Sequence, residues 1–217
     1  MSDPELVIFD CDGVLVDSEV ISNEVLARAL TAEGLPTTLT QARREYQGML
    51  LSEVVQRAQQ SLGRKLADDW VERFERDRAE AFHRDLEPVS GAASAVQRVK
   101  DAGIPVCVAS QGSLEKTRMT LGLTALRSLF PAGALFSGQL VPRGKPYPDL
   151  FLHAATTMGA KPSRCTVVED TVSGVTAAVA AGMRAFGYAA DSDETALRSA
   201  GAEILHDLIV LPDLLAI

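Results

Sequence analysis

The stretch Leu6-Val7-Ile8-Phe9-Asp10-Cys11-Asp12-Gly13-Val14-Leu15-Val16-Asp17-Ser18 decides how the rest of the chain is read. Leu6 to Phe9 form a short apolar run of the kind that makes a buried strand, and side chains two apart on a strand share a side. Asp10 and Asp12 are therefore expected to face one small volume where the strand gives way to a turn at Gly13. Two carboxylates there repel each other, so a cation or a shared proton has to hold them together. A single Asp-x-Asp-Gly more often caps a turn. Three further polar signals, each at a strand end or in a loop, favour the chemical reading.

Size and charge narrow the setting. The chain has 217 residues and ample apolar material, enough for one large domain or a core carrying an inserted one. Lysine and arginine total 21 against 29 acidic residues, a formal charge of −8, and the basic residues are scattered among acidic ones. Such a surface is a poor match for nucleic acid or an anionic membrane. Cys11, Cys107 and Cys165 sit in or beside apolar runs without the close spacing of a zinc site, and are expected to be reduced core residues. Met1-Ser2-Asp3-Pro4-Glu5 has neither the basic start nor the apolar run of a secretory signal, and no segment is apolar enough to span a bilayer, so a cytoplasmic protein is expected. His83, His153 and His206 are expected at the surface or an edge rather than as ligands.

After the first strand the pattern turns helical until about Glu87. Leu26, Ala29 and Leu30 recur at helical spacing before Gly34, as do Val54, Val55, Ala58 and Leu62 before Gly63; Trp70, Val71, Phe74, Ala81 and Phe82 mark a third amphipathic segment. Residues 17–87 are thus a candidate helical insertion, leaving 1–16 and 88–217 as a discontinuous core. From Pro88 onward short apolar runs alternate with helical segments: a helix over Gly91–Ala102, a strand over Ile104–Ala109, a helix from near Pro148 to before Gly159, a strand over Cys165–Val168, a helix over Val172–Ala181 and a strand over Arg184–Tyr188. The alternation predicts an α/β fold with a parallel sheet and helices on both faces. In such sheets ligands gather beyond the carboxyl ends of the strands.

The three remaining signals lie at strand ends or in a loop that could share one rim. Val106-Cys107-Val108-Ala109 runs into Ser110-Gln111-Gly112-Ser113, where a hydroxyl and backbone amides at a helix start suit phosphate oxygens. Gly144-Lys145-Pro146-Tyr147-Pro148-Asp149 places a lysine in a loop stiffened by two prolines, able to neutralise charge that otherwise keeps an anionic nucleophile from an anionic substrate. Thr166-Val167-Val168 runs into Glu169-Asp170-Thr171, and adjacent acids at a strand end are costly to half-bury unless they bind something. Mg²⁺, which prefers hard oxygen ligands, fits them.

Together, Phe9 to Glu19, Ser110, Gly144 to Asp149 and Val168 to Thr171 resemble the haloacid dehalogenase superfamily of phosphohydrolases over nearly the whole chain. The branch of closest likeness is that of the beta-phosphoglucomutase-like proteins and bacterial sugar phosphatases. Phe9 to Ile21, Leu86-Glu87-Pro88, Leu135-Phe136-Ser137-Gly138 and Ala181-Gly182-Met183 carry that likeness. The resemblance implies a Rossmann-like core with a four-helix cap inserted after the first strand, at the place of the helical block.

It also implies roles. Asp10 is expected to be the nucleophile that attacks phosphorus, and Asp12 the acid/base that protonates the leaving oxygen and later activates water. Mg²⁺ is expected on the Asp10 side chain, the Asp12 backbone carbonyl and Asp170, with Glu169 contributing directly or through water. Ser110, the Gln111 amide and Lys145 are expected on the phosphoryl oxygens, and Arg44 is the cap residue that stands out as a possible substrate contact. The implied substrate is a small phosphate ester, a sugar phosphate or sugar-acid phosphate such as 6-phosphogluconate, and the implied assembly a monomer or weak dimer.

Two departures weigh against a phosphosugar mutase. Ser22 stands where mutases of this branch carry a histidine after Asp17-Ser18, and Gly48-Met49-Leu50-Leu51 stands where they carry an arginine for the second phosphate. Water is the expected acceptor. A dehalogenase lacks the second aspartate, present here as Asp12. A sugar-phosphate-binding protein without turnover is the remaining alternative, and such a binder has little use for a nucleophile.

Overall fold

A computed structural model describes residues 4–217; Met1-Ser2-Asp3 of the N-terminal segment discussed above lie outside the described residues. The chain divides into two compact units, one holding the stretch up to Val16 together with Pro88–Ile217, the other Asp17–Glu87.

The first strand, β1, spans Leu6–Phe9, and the helical unit follows as α1 (Glu19–Ala32), α2 (Leu39–Tyr46), α3 (Leu51–Leu62) and α4 (Trp70–Asp85). Val25, Leu26, Leu30, Tyr46, Val54, Ala58, Trp70 and Phe74 pack into a core of its own, with Trp70 and Phe74 stacked at 5.4 Å between ring centres. The periodicity marked three of these helices and missed α2, of which only Ala42 and Tyr46 are buried. What holds α2 is its start. The Gln41 backbone amide donates to Thr38 Oγ1 at 3.2 Å while the Thr38 amide donates to Gln41 Oε1 at 2.8 Å, a reciprocal capping box.

The other unit continues with α5 (Ala92–Asp101), β2 (Val106–Ser110), α6 (Leu114–Leu123), β3 (Leu135–Ser137), α7 (Asp149–Thr157), β4 (Cys165–Glu169), α8 (Val172–Ala180), β5 (Arg184–Tyr188), α9 (Glu194–Ser199), β6 (Glu203–Leu205) and α10 (Leu211–Leu214). The six strands form one parallel sheet in the order β3-β2-β1-β4-β5-β6. From β1 the chain builds outward through β2 and β3 on one side and β4, β5 and β6 on the other. Right-handed crossovers running in opposite directions place their helices on opposite faces. Leu6, Val7, Ile8 and Phe9 are accordingly all fully buried, because both faces of β1 are covered. On one face Leu6, Ile8, Cys107, Ala109 and Val167 pack with Leu150, Phe151, Ala154 and Val175 from α7 and α8.

The three cysteines are buried and free, and the three histidines are exposed. No helix of the described residues is long and apolar enough to cross a membrane. The strand order reverses direction at β1, and an open parallel sheet presents its ligand crevice at such a switch point, beyond the carboxyl ends of the strands. Asp10 is the first residue past β1.

Candidate active site

Ser110 closes β2, Asp10 follows β1 and Glu169 closes β4, on three adjacent strands. The Asp10 amide still donates to the Val168 carbonyl at 2.9 Å, extending the sheet's hydrogen bonding by one residue and fixing where the Asp10 side chain leaves the backbone.

Lys145 reaches this rim from the loop before α7, where its peptide bond to Pro146 is cis. Its ammonium donates to Asp10 Oδ1 at 2.7 Å, to the Ala109 carbonyl at 3.0 Å and to Glu169 Oε1. Gln111 Oε1 accepts from the Lys145 backbone amide at 3.1 Å, so the loop is tied to the residue after β2. Gly138 and Gly144 flank the Gln111 side chain so closely that a Cβ on either would overlap it.

Glu169 is fully buried and both its oxygens are engaged, since Oε2 accepts from the Thr171 amide at 3.1 Å and the Thr171 hydroxyl at 2.9 Å. Thr171 in turn caps α8 by accepting from the Gly174 amide at 3.0 Å. A Cβ on Gly174 would overlap the Glu169 carboxyl, and one on Gly13, whose φ is +76°, would overlap that of Asp170. These two glycines let carboxylates lie against bare backbone.

The electrostatics follow from that burial. Desolvation pushes the Asp10 carboxyl up to about 7, with Lys145 pulling the other way and the charges of Glu169 and Asp12 adding to the rise. Burial alone disfavours the Lys145 ammonium, but the charges of Asp10 and Glu169 and their hydrogen bonds override it and hold the group above the ordinary lysine range.

The residues fit a small divalent cation. Asp10, Glu169 and Asp170 are buried and offer one carboxylate oxygen each, all within 4.8 Å of one another. This is a hard-oxygen donor set, and the Asp170 carboxylate occupies the space left by Gly13. With all three ionised, the Lys145 ammonium leaves a net charge of two negatives, the deficit that a divalent ion makes good.

Asp12 takes a separate cation. β1 ends at Phe9, so strand alternation no longer governs Cys11 and Asp12, and the Asp12 side chain meets Lys116 Nζ at 2.7 Å and Ser110 Oγ at 3.4 Å. The two aspartates are thus held by two lysines rather than by one shared charge. Ser110 is buried and accepts from the Gly112 amide at 3.1 Å.

Arg44 belongs to the helical unit, on α2, where it is exposed and pairs with the adjacent Glu45 at 2.9 Å. Sequence reasoning missed Lys116, whose signal was a lysine in the first turn of the helix after the Ser110 loop, where the helix dipole disfavours a cation.

A family model described as haloacid dehalogenase-like hydrolase matches residues 4–182. The chain is 32% identical over 215 residues to 6-phosphogluconate phosphatase of Escherichia coli (strain K12), spanning 99% of this chain and 96% of that one. It is 30% identical to hexitol phosphatase B of the same organism over 190 residues, 85% of this chain and 84% of the relative. Among solved structures, a conserved haloacid dehalogenase-like protein of unknown function from Agrobacterium tumefaciens superposes with a TM-score of 0.81 at 32% identity, covering 98% of this chain and 97% of that one.

Proposed function

The chain belongs to the haloacid dehalogenase-like hydrolases, and from that premise we propose that it is a Mg²⁺-dependent phosphatase of sugar phosphates and sugar-acid phosphates, 6-phosphogluconate among them, working in the cytoplasm. The observation that carries this reading is the buried Asp10 carboxylate at the end of the central strand, bridged by Lys145 to Glu169 and set among the oxygens of Asp170 and Glu169.

Asp10 attacks phosphorus in line. Its oxygen forms a bond to phosphorus as the bond to the sugar oxygen breaks, giving an aspartyl-phosphate, and Asp12 delivers a proton to the departing alkoxide. Water then attacks the phosphorus of the aspartyl-phosphate, Asp12 takes the proton that water gives up, and inorganic phosphate leaves as the bond between phosphorus and the Asp10 oxygen breaks. Ser110, the Gln111 amide and Lys145 hold the phosphoryl oxygens, Lys145 offsetting the repulsion between two anions. Asp10, Asp170, Glu169 and the Asp12 carbonyl would hold Mg²⁺, which when bound supplies further positive charge to the transferring phosphoryl group and keeps Asp10 ionised. The helical unit Asp17–Glu87 acts as the cap that chooses the leaving group, Arg44 among its selecting residues.

Inorganic phosphate release from a panel of hexose, hexitol and sugar-acid phosphates, with Mg²⁺ and with a chelator, tests this directly. Magnesium-dependent release from sugar-class esters is expected. A mutase instead moves phosphate between positions of one sugar with little released, and Ser22 and Gly48 to Leu51 argue against it.

A further inference from the structure

Lys116 breaks a local rule. It lies in the first turn of α6, where the Ser113 hydroxyl accepts from its backbone amide at 3.2 Å. The positive end of the helix dipole favours acids in that turn, so a lysine there is disfavoured unless something else fixes it. Its side chain is only 14% exposed, rare for a lysine, whose charged head normally reaches water.

The fixing partner is Asp12. Lys116 Nζ meets Asp12 Oδ1 at 2.7 Å, and Asp12 is itself 16% exposed. The other oxygen, Oδ2, lies 3.4 Å from Ser110 Oγ, at the end of β2. The two oxygens of this carboxyl therefore have different surroundings, one on an ammonium and one toward the rim where Ser110 and Asp10 stand. The local fold is shaped to keep them so. A Cβ on Gly112 would stand 3.3 Å from Lys116 Cδ, so the bare glycine leaves the lysine stem its path. One turn further along α6, the Thr120 hydroxyl hydrogen-bonds to the Lys116 carbonyl at 3.1 Å and contacts Cys11 Sγ at 3.7 Å, tying the helix to the loop between the two aspartates.

We infer that Lys116 is a positioning residue for the acid/base step: by holding Asp12 Oδ1 it keeps Asp12 Oδ2 turned to the rim as the oxygen that gives its proton to the leaving group. The inference rests on the phosphatase reading and deepens it. In the step concerned, the bond between phosphorus and the sugar oxygen breaks, the electron pair stays on that oxygen, and the proton on Oδ2 passes to it as Asp12 becomes a carboxylate. Lys116 keeps its own proton throughout.

Proton delivery to the leaving group matters only where that group needs a proton, and kcat/KM isolates this step because it ends at release of the alcohol and excludes the later hydrolysis that both esters share. An alkoxide leaving from glucose 6-phosphate needs that proton, whereas p-nitrophenolate, a far weaker base, leaves without it. The test compares kcat/KM on these two esters for wild type, Lys116→Met, Lys116→Arg, Asp12→Asn and the Lys116→Met/Asp12→Asn double variant. Because the ratio of the two rates is taken within one sample, it does not depend on how much of a variant folds.

For Lys116→Met we expect a loss of about 10- to 100-fold on glucose 6-phosphate against less than about 3-fold on p-nitrophenyl phosphate, part of the range that proton transfer contributes. Arginine at 116 should restore most of the difference, and the double variant should be no more selective than Asp12→Asn alone. Equal losses on both esters overturn the inference while leaving the phosphatase reading intact, as does a double variant whose selectivity is the product of the singles. A wild type that hydrolyses neither ester, with other sugar phosphates equally inert, overturns both.

Discussion

Lys145 Nζ and Asp10 Oδ1 are 2.7 Å apart although their residues are separated by 135 positions in sequence. That contact joins the loop before α7 to the end of β1 and places a buried ammonium between two carboxylates, those of Asp10 and Glu169. The same contact is a structural tie and part of the proposed catalytic site.

Replacing Lys145 with methionine leaves Asp10 and Glu169 buried side by side without their shared cation. Breaking a buried pair by removing one partner costs about 3–5 kcal/mol. Urea unfolding in the presence of a chelator should show a loss of that order, with activity abolished. Added Mg²⁺ should recover part of the stability, since an ion bound only by the folded state stabilises it. Unchanged unfolding midpoints would contradict the assigned role of the pair.

Gly174→Ala should damage the site by sterics alone. The residue needs no left-handed backbone, but its new Cβ would overlap the Glu169 carboxyl. Overpacking of this sort costs about 1–3 kcal/mol. Mg²⁺ titrations should show weaker binding with it, as Glu169 moves off the Asp10–Asp170 cluster. Gly63→Ala serves as the contrast: nothing lies near its Cβ, so it should cost stability through its φ of +65° without touching Mg²⁺ affinity.

Much of this site was legible in sequence because its residues sit where apolar runs stop. Leu6 to Phe9 and Val167-Val168 are continuous apolar stretches, and the acids that follow them, Asp10 and Glu169-Asp170, stand out against that background. Lys145 stood out through the two prolines that follow it, Pro146 and Pro148. Lys116 did not, since a lone lysine on a helix reads as solvated until the fold brings Asp12 to it. The elements missed were short ones: β3 and β6 have three residues each, α9 six and α10 four, too few for periodicity, and α2 buries only two side chains. The capping box of Thr38 and Gln41 was the local signal for α2, carried by hydrogen bonding rather than by hydrophobic spacing.

The edge of the sheet offers a pH-dependent test. Arg184 on β5 grips Glu203 on β6 through two contacts, Nε to Oε1 at 2.7 Å and Nη2 to Oε2 at 2.8 Å. That hydrogen bonding, helped by the guanidinium charge and opposed by partial desolvation, holds the Glu203 carboxyl below its ordinary value. A carboxyl with a lowered folded-state pKa stabilises above its unfolded value, and the contribution is lost as pH falls through the folded one. Glu203 is half exposed, so solvent screens the pair. Glu203→Gln should therefore cost only about 0.2–1 kcal/mol at pH 7. Urea midpoints of wild type and variant should converge in acid, below the folded value, and a difference that persists there would show that packing rather than charge is responsible.

The nucleophile assignment carries the whole account, and one comparison tests it: phosphate release from a sugar phosphate by wild type and by Asp10→Asn, each with saturating Mg²⁺ and with chelator. The account predicts magnesium-dependent turnover by wild type and a loss on the order of a thousandfold or more in the variant, the scale seen when an enzymatic nucleophile is removed. Turnover by Asp10→Asn at the wild-type rate would contradict it.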